Sequence, residues 1–385
     1  MISAGRLAWL QLRREKVRLL VAVAGVAFAV VLMLMQLGFQ DALFNSSVNV
    51  HRHVDGDVFL LNPHYNILAL PKFFPRRRLY QALAFDGVAS VTPLYTMIVR
   101  WQNPATGATR DMFAVGIDPV SDVLDGLPEV AAQRAKIREP DVVLFDELSR
   151  PEYGPVAATF RSSGPLATEV NQHGITVGGL FRLGTSFGVD GSIVTSDLNL
   201  LRMIPARPQG AVSIGVVRVR SGVDPRRVRA ALEAALPRDV VVLTKQEYID
   251  REIDYWSRST PIGYVFTFGV AMGLVVGTII VYQILFADVA DHLPEYATLK
   301  AIGYSNRYLA GVVVMEATIL AVVGYIPGLA VCAWLYRLTR SATMLPMMIT
   351  LGRGIQILIL TAAMCWMSAL IAMRKLRSAD PADVF

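Results

Sequence analysis

Gly184-Thr185-Ser186-Phe187-Gly188 has the Gly-x-Ser-x-Gly spacing of a hydrolase elbow, in which a tight turn offers a serine hydroxyl to a histidine base. In that fold the histidine follows the serine. The only later histidine is His292, beyond the uncharged run Pro261 to Phe286, so a glycine-rich β-turn is the better reading. His51, His53, Asp55 and Asp57 alternate, and on a strand they would share one face able to hold a divalent metal. A solvated strand face is the plainer reading, and no metal or other cofactor is assigned. Lys72-Phe73-Phe74-Pro75-Arg76-Arg77-Arg78 mixes aromatics with cations. It suits lipid headgroups or an anionic cargo, and equally a solvated loop leading into a helix. ATP chemistry is excluded more firmly. A phosphate-cradling loop needs lysine directly after glycine, and the six lysines follow Glu15, Pro71, Ala135, Thr244, Leu299 and Arg374. The chain has no Walker-type site, and no catalytic residue is assigned.

Three further groups point to mechanics rather than catalysis. In Asp291-His292-Leu293-Pro294-Glu295-Tyr296-Ala297-Thr298-Leu299-Lys300-Ala301-Ile302-Gly303, Pro294 fits a first helical position and Gly303 a terminator. Glu295 and Lys300 match the helix dipole. Tyr296, Leu299 and Ile302 recur at three-residue spacing, so a short capped helix with an exposed aromatic is expected to dock a partner. Gly269, Gly273 and Gly277 lie on one helical stripe and invite close approach of a neighbouring backbone, in the same chain or a second copy. Glu316 is an acid inside an apolar run, where ionisable groups are costly, and either structural pairing or a role in coupling explains it.

The elements that position these groups follow from hydropathy. The chain of 385 residues is 54% hydrophobic and only 18% charged, against about 25% charge in a soluble domain. The excess sits in four stretches of the length that a bilayer core requires: 19–39, 261–286, 309–336 (interrupted at Gly324, Pro327 and Gly328) and 355–373. The first lacks a following small-x-small cleavage site and reads as an uncleaved anchor. Arg6, Arg13, Arg14, Lys16 and Arg18 before it, and Arg374, Lys375 and Arg377 after the fourth, place both tails in the cytoplasm. The same rule accounts for much of the +6 net charge without nucleic acid. The expected order is a cytoplasmic N-terminal helix (1–18), an exported domain at 40–260, a cytoplasmic loop at 287–308, a short external loop at 337–354 and a cytoplasmic tail at 374–385. Cys332 and Cys365 fall within spans, so the exported domain has no disulfide.

Two strand–helix–strand units bracket that domain. One runs from Val58-Phe59-Leu60-Leu61 through a helix near Arg78 to Leu83 and on to Val88-Ala89-Ser90-Val91. The other runs from Ser213–Val219 through a helix capped by Asp224 and opened by Pro225 to Val240–Leu243. Such pairs build a ferredoxin-like α+β lobe. A β-rich inserted lobe is expected at about 119–207, preceded by a hairpin around Asn103-Pro104-Ala105-Thr106-Gly107. Gln246–Ser259 is expected to be helical, running continuously into the second span. The fold class is thus membrane α-helical, with four transmembrane helices and a large α+β periplasmic domain.

Several stretches carry a resemblance: Leu7-Ala8-Trp9-Leu10-Gln11-Leu12, Gln36-Leu37-Gly38-Phe39, Arg77 to Leu83, Asp141-Val142-Val143-Leu144-Phe145-Asp146, Ser259-Thr260-Pro261-Ile262-Gly263, Asp288 to Gly303, and Ala379-Asp380-Pro381-Ala382-Asp383. With them the chain resembles the DevC family of ABC-transporter permeases, in the wider MacB/FtsX-like, type VII group that includes lipoprotein-releasing permeases. The resemblance implies a homodimer in the inner membrane, a separate cytoplasmic ABC ATPase, a periplasmic membrane-fusion adaptor and a TolC-like outer-membrane channel. It implies a porter role for the ferredoxin-like lobe and makes Asp291 to Ile302 the coupling element. Motion driven by the ATPase would reach the periplasmic domain and drive efflux, with glycolipid among the cargoes associated with such permeases. A lipoprotein-releasing permease and an FtsX-like signalling subunit controlling cell-wall hydrolases are the alternatives.

Overall fold

The computed structural model describes residues 4–186, 188–205, 207–208 and 210–378. Phe187 of the elbow spacing and the Ala379–Asp383 stretch lie outside them. The described chain divides into two compact units, one from 1–42 with 261–385 and one from 43–260.

The first unit contains four helices long and apolar enough to cross a membrane: Lys16–Ser47, Pro261–Asp291, Asn306–Thr343 and Leu351–Ser378. The first three have 32, 31 and 38 residues, and each exceeds a roughly 30 Å hydrocarbon core at about 1.5 Å per residue. The third runs unbroken through Pro327, where the sequence had led us to expect an interruption. Glycine allows that helix to lie close to the first. A Cβ on Gly324 would meet Val26, and one on Gly328 would meet Val30 and the Ala27 carbonyl. The core of this unit is apolar and includes Val26, Val30, Met33, Val313, Leu320 and Met364. Near the far end of the first helix Asp41 pairs with Arg353, whose Nη1 also donates to the Met348 carbonyl at 2.8 Å.

The second unit is built on a mixed sheet of nine strands. In chain order the strands are β1 (Val58–Leu61), β2 (Phe74–Pro75), β3 (Val88–Gln102), β4 (Thr109–Ile117), β5 (Val142–Asp146), β6 (Leu166–Val170), β7 (His173–Phe181), β8 (Ser192–Ser196), β9 (Ala211–Val212), β10 (Ile214–Val219) and β11 (Val241–Thr244). The large sheet has the order β11-β1-β10-β3-β4-β8-β5-β7-β6, and β2 pairs with β9 alone. Strands β1, β3, β10 and β11 pair antiparallel throughout, with the helices Arg77–Leu83 and Pro225–Ala235 following β1 and β10. The pairs β4–β8 and β5–β7 are parallel. The strands between 119 and 207 continue this sheet through β4, which pairs with the second half of the 15-residue β3.

Alternation along β1 divides the core. Val58 and Leu60 join one cluster with Leu79, Val217, Leu232 and Val242; Phe59 and Leu61 join the other with Val216, Leu243 and Tyr248. Helix Lys245–Asp254 opens with a capping box, in which the Thr244 side chain accepts from Glu247 N–H while the Glu247 carboxylate accepts from Thr244 N–H. It does not run on into the second span. A π-helical turn over Tyr255–Ser259 and an extended Thr260 (φ −120°, ψ 153°) separate the two, because Pro261 disfavours helical backbone in the residue before it.

Candidate functional site

The short helix between the second and third spans forms over Leu293–Ala301, with Pro294 and Glu295 in its first turn and Lys300 in its last. It ends as a Schellman motif. Gly303 takes φ +104°, its N–H reaches the Lys300 carbonyl at 3.0 Å, and Tyr304 N–H reaches the Leu299 carbonyl at 3.1 Å. Ser305 then caps the third span by accepting from Tyr308 N–H at 3.3 Å. Only Ile302 to Ser305 separate the two helices, and the caps at either end fix the path of this loop.

Tyr296 departs from expectation. It is 2% exposed and belongs to the apolar core of its own unit, with Leu299 partly buried against the same core. The three-residue spacing of Tyr296, Leu299 and Ile302 marks the inner side of the helix for the first two and leaves Ile302 71% exposed beyond its end. The open face carries Asp291, Pro294, Glu295, Thr298, Lys300 and Ile302; Leu293 is half-buried and His292 buried.

Ion pairs tie this loop to the first helix. Arg18 lies 2.7 Å from Glu15 and 3.5 Å from Asp288, and it donates to Asp291. Arg14 approaches Glu295 at 3.9 Å, an exposed contact that contributes little. His292 Nδ1 lies 2.9 Å from the Asp288 carbonyl, which can only accept, so that nitrogen carries the proton.

The glycine stripe faces the first helix of the same chain. A side chain at Gly269 would meet Gln36, one at Gly273 would meet Met33 and Leu32, and one at Gly277 would meet Ala29 and Met364. Sequence spacing left the neighbour open between this chain and a second copy; here it is this chain. Glu316 lies wholly buried in the third span.

In the other unit the His51–Asp57 row is not a strand face. Asn49–His53 is helical, which turns His51 into the core and His53 back to the Asn49 carbonyl at 2.8 Å. Asp55 pairs with Arg218 at 2.6 Å, and Asp57 accepts from Val219 N–H at 2.8 Å. The row therefore disperses. His51 instead lies 3.4 Å from Glu252, which accepts from Tyr65 Oη, Leu68 N–H and Trp256 Nε1 at 3.0 to 3.2 Å. Burial among these groups pushes the Tyr65 and Tyr248 hydroxyls well above the usual tyrosine range.

The elbow spacing is a turn, with Ser186 bridging to Val189. It is held from below by Asp146, fully buried at the end of β5, which accepts from Leu148, Leu183 and Gly184 N–H and from Ser192 Oγ at 2.9 to 3.2 Å. Burial raises the Asp146 carboxyl above its ordinary value, against the pull of these four donors. Of the Arg76–Arg78 cluster, Arg76 and Arg77 are exposed, while Arg78 is buried in a fork with Asp239. Asp146 ended one of the stretches that carry the resemblance, and its place at the end of an apolar run was the signal; Glu252, in a polar segment, offered none.

Residues 267–381, under a third of the chain, match the family described as FtsX-like permease C-terminal. That segment contains the loop helix, its caps and Glu316. No curated protein sequence matches the chain. Among solved structures, the periplasmic region of MacB from Actinobacillus actinomycetemcomitans matches at 14% identity and TM-score 0.35, covering 53% of this chain and 95% of that one. The extracellular domain of the noncanonic ABC-type transporter YknZ from Gram-positive bacteria matches at 13% identity and TM-score 0.32, covering 49% and 98%. A domain of a putative permease protein from Porphyromonas gingivalis matches at 15% identity and TM-score 0.32, covering 50% and 90%.

Proposed function

We propose that this chain is the permease subunit of an ABC-type export complex, driven by a separate cytoplasmic ATPase that grips the helix Leu293–Ala301. The observation that carries the reading is the match of 267–381 to an FtsX-like permease family, a segment that contains a loop helix capped at its end and open on one face. Such a helix can transmit force, because its buried Tyr296 fastens it to the spans and Arg18 holds Asp288 and Asp291 just before it, while Thr298 and Ile302 face outward for a partner. The finer reading places both tails in the cytoplasm and the sheet domain in the periplasm. A homodimer there works with a membrane-fusion adaptor and a TolC-like channel in DevC-type efflux, possible cargoes including a glycolipid. The strand order β11-β1-β10-β3, with a helix after β1 and after β10, supports a ferredoxin-like porter lobe. The FtsX-like match equally supports a signalling subunit acting on cell-wall hydrolases; an adaptor gene beside this one would favour export.

The test uses the open face. Ile302→Asp places a charge where an apolar contact is expected and should reduce co-purification of the ATPase at least about tenfold, as loss of a well-packed interface residue does. Glu295→Ala should have a smaller effect. Wild-type ATPase binding by both Ile302→Asp and the double variant Ile302→Asp/Glu295→Ala would remove the helix as the docking element.

A further inference from the structure

The chain from Asn62 to Phe73, between β1 and β2, contains no helix or strand, yet its backbone is pinned at the neck and in the middle. Asn62 Nδ2 donates to the Phe73 carbonyl at 2.6 Å and closes the neck. Arg251 donates to the Pro63 and Tyr65 carbonyls at 3.0 and 3.1 Å, and the Leu68 N–H donates to Glu252 at 3.0 Å. One helix, Lys245–Asp254, therefore holds the loop in shape. Between this loop and β3 runs a groove of about 420 Å³, within the roughly 300–1,000 Å³ range of small-molecule sites. Leu70, Phe73, Met97 and Ile98 supply its apolar wall. Leu70 is 62% exposed, and the other three are half-buried.

The charge around the groove has one sign. Lys72 and His64 line it with exposed side chains, and among the described residues no acid does. A second cation lies against Phe73. Arg207 is 4% exposed, its guanidinium 5.5 Å from the Phe73 ring and 3.9 Å from the Tyr95 ring. Its Nη2 donates to the Ala211 carbonyl at 2.6 Å, while Nε and Nη1 meet no acceptor. A buried cation with two unused donors keeps the local field positive. An apolar slot with cations beside it suits an alkyl chain that ends in an anion. A neutral chain gains nothing from Lys72, and a small anion leaves the apolar wall in water. We propose that this groove binds a single-chain anionic amphiphile, its alkyl chain along Phe73, Met97 and Ile98 and its phosphate- or carboxylate-type head at Lys72. That the occupant is exported cargo rests on the permease reading above. The binding site itself does not, so the Ile302→Asp test can fail without touching it.

Cysteine protection on the full chain, in nanodiscs of neutral lipid, tests the site without any ATPase. Octyl phosphate serves as the probe, kept below its micellar concentration. Leu70→Cys should react with an uncharged maleimide at least about fivefold more slowly when the probe is present, since labelling falls with the unoccupied fraction. Ala105→Cys, in the same domain, should keep its rate. Octyl glucoside and inorganic phosphate should each protect far less, because each lacks half of the ligand. Lys72→Glu changes an exposed side chain, and it should weaken protection by octyl phosphate roughly five- to tenfold while leaving octyl glucoside unaffected. No slowing at Leu70→Cys, or equal slowing at Ala105→Cys, would overturn the site. Protection by octyl glucoside or inorganic phosphate as strong as that by octyl phosphate would overturn the amphiphile, and so would undiminished octyl phosphate protection in Lys72→Glu.

Discussion

Arg78 illustrates how much a run of like charges conceals. In sequence it is one third of a basic cluster; in the structure it is the arm that holds a helix to the end of the sheet domain. Its Nε and Nη2 reach the Asp239 carboxylate at 2.7 to 3.1 Å, and Nη1 reaches Gln81 at 2.8 Å. These bonds hold the Asp239 carboxyl below the usual carboxylate range. A carboxyl lowered by folding stabilises the fold above its unfolded value of about 3.9, and that stability is lost as pH falls through the lower folded value. Asp239→Asn should cost up to about 1 kcal/mol at neutral pH, because the Asp239 carboxylate is partly exposed and solvent screens its pairing with the buried guanidinium. Thermal melts of the detergent-purified chain should show the wild-type advantage shrinking as pH is taken below about 4. An advantage unchanged by acid would mean that the pair contributes packing alone. Tyr296 is the converse case: an aromatic in a polar loop looks free, yet its burial depends on packing that periodicity over nine residues cannot report.

The helices show where sequence is most and least informative. Long uncharged runs need no partner to be recognised, so the four apolar helices were legible from composition, and Asp224 with Pro225 announced the helix of the second strand–helix–strand unit. Glycine spacing identified a packing stripe but not its partner, because a stripe of small residues suits any close neighbour. The alternation of His51, His53, Asp55 and Asp57 suggested a strand, whereas a single helical turn at 49–53 takes the two histidines out of register with the two acids. The second span was expected to continue the helix before it. Pro261 stops it, and a π-turn over Tyr255–Ser259 with an extended Thr260 lies between the two helices. With the stripe packed inside the chain, a graded prediction follows for Gly273. A Cβ there would lie 3.0 Å from the flexible Met33 Cγ, so Gly273→Ala should be mild. Leucine must displace Met33 and Leu32 together and should destabilise by about 1–3 kcal/mol, as overpacking does. Fluorescence-detected size-exclusion after heating separates the outcomes; equal stability for both variants would mean that the stripe tolerates bulk.

Across the molecule, two compact units with different solvents share one chain, and the sequence announces the change of solvent by charge density. Strand pairing was less legible. The parallel pairs β4–β8 and β5–β7 join segments separated by tens of residues, and no local pattern specifies such partners. Orientation rests on the basic residues that flank the first and fourth spans, which favour retention on the cytoplasmic side. Arg337, Arg340 and Arg353 stand at the opposite ends of the third and fourth helices and oppose that bias. Arg353 is neutralised by Asp41, which removes one of the three from the balance. Single cysteines decide the matter cleanly, because the native Cys332 and Cys365 are buried and should label poorly. Ala105 and Ser163 are exposed positions in the sheet domain, and Asn306 is exposed beside the loop helix. In intact cells with a permeabilised outer membrane, a membrane-impermeant thiol reagent should modify Ala105→Cys and Ser163→Cys, and should reach Asn306→Cys only after lysis. Labelling of Asn306→Cys before lysis, with Ala105→Cys protected, would invert the assignment. The loop helix would then face away from any cytoplasmic ATPase, and the permease reading would fall with it.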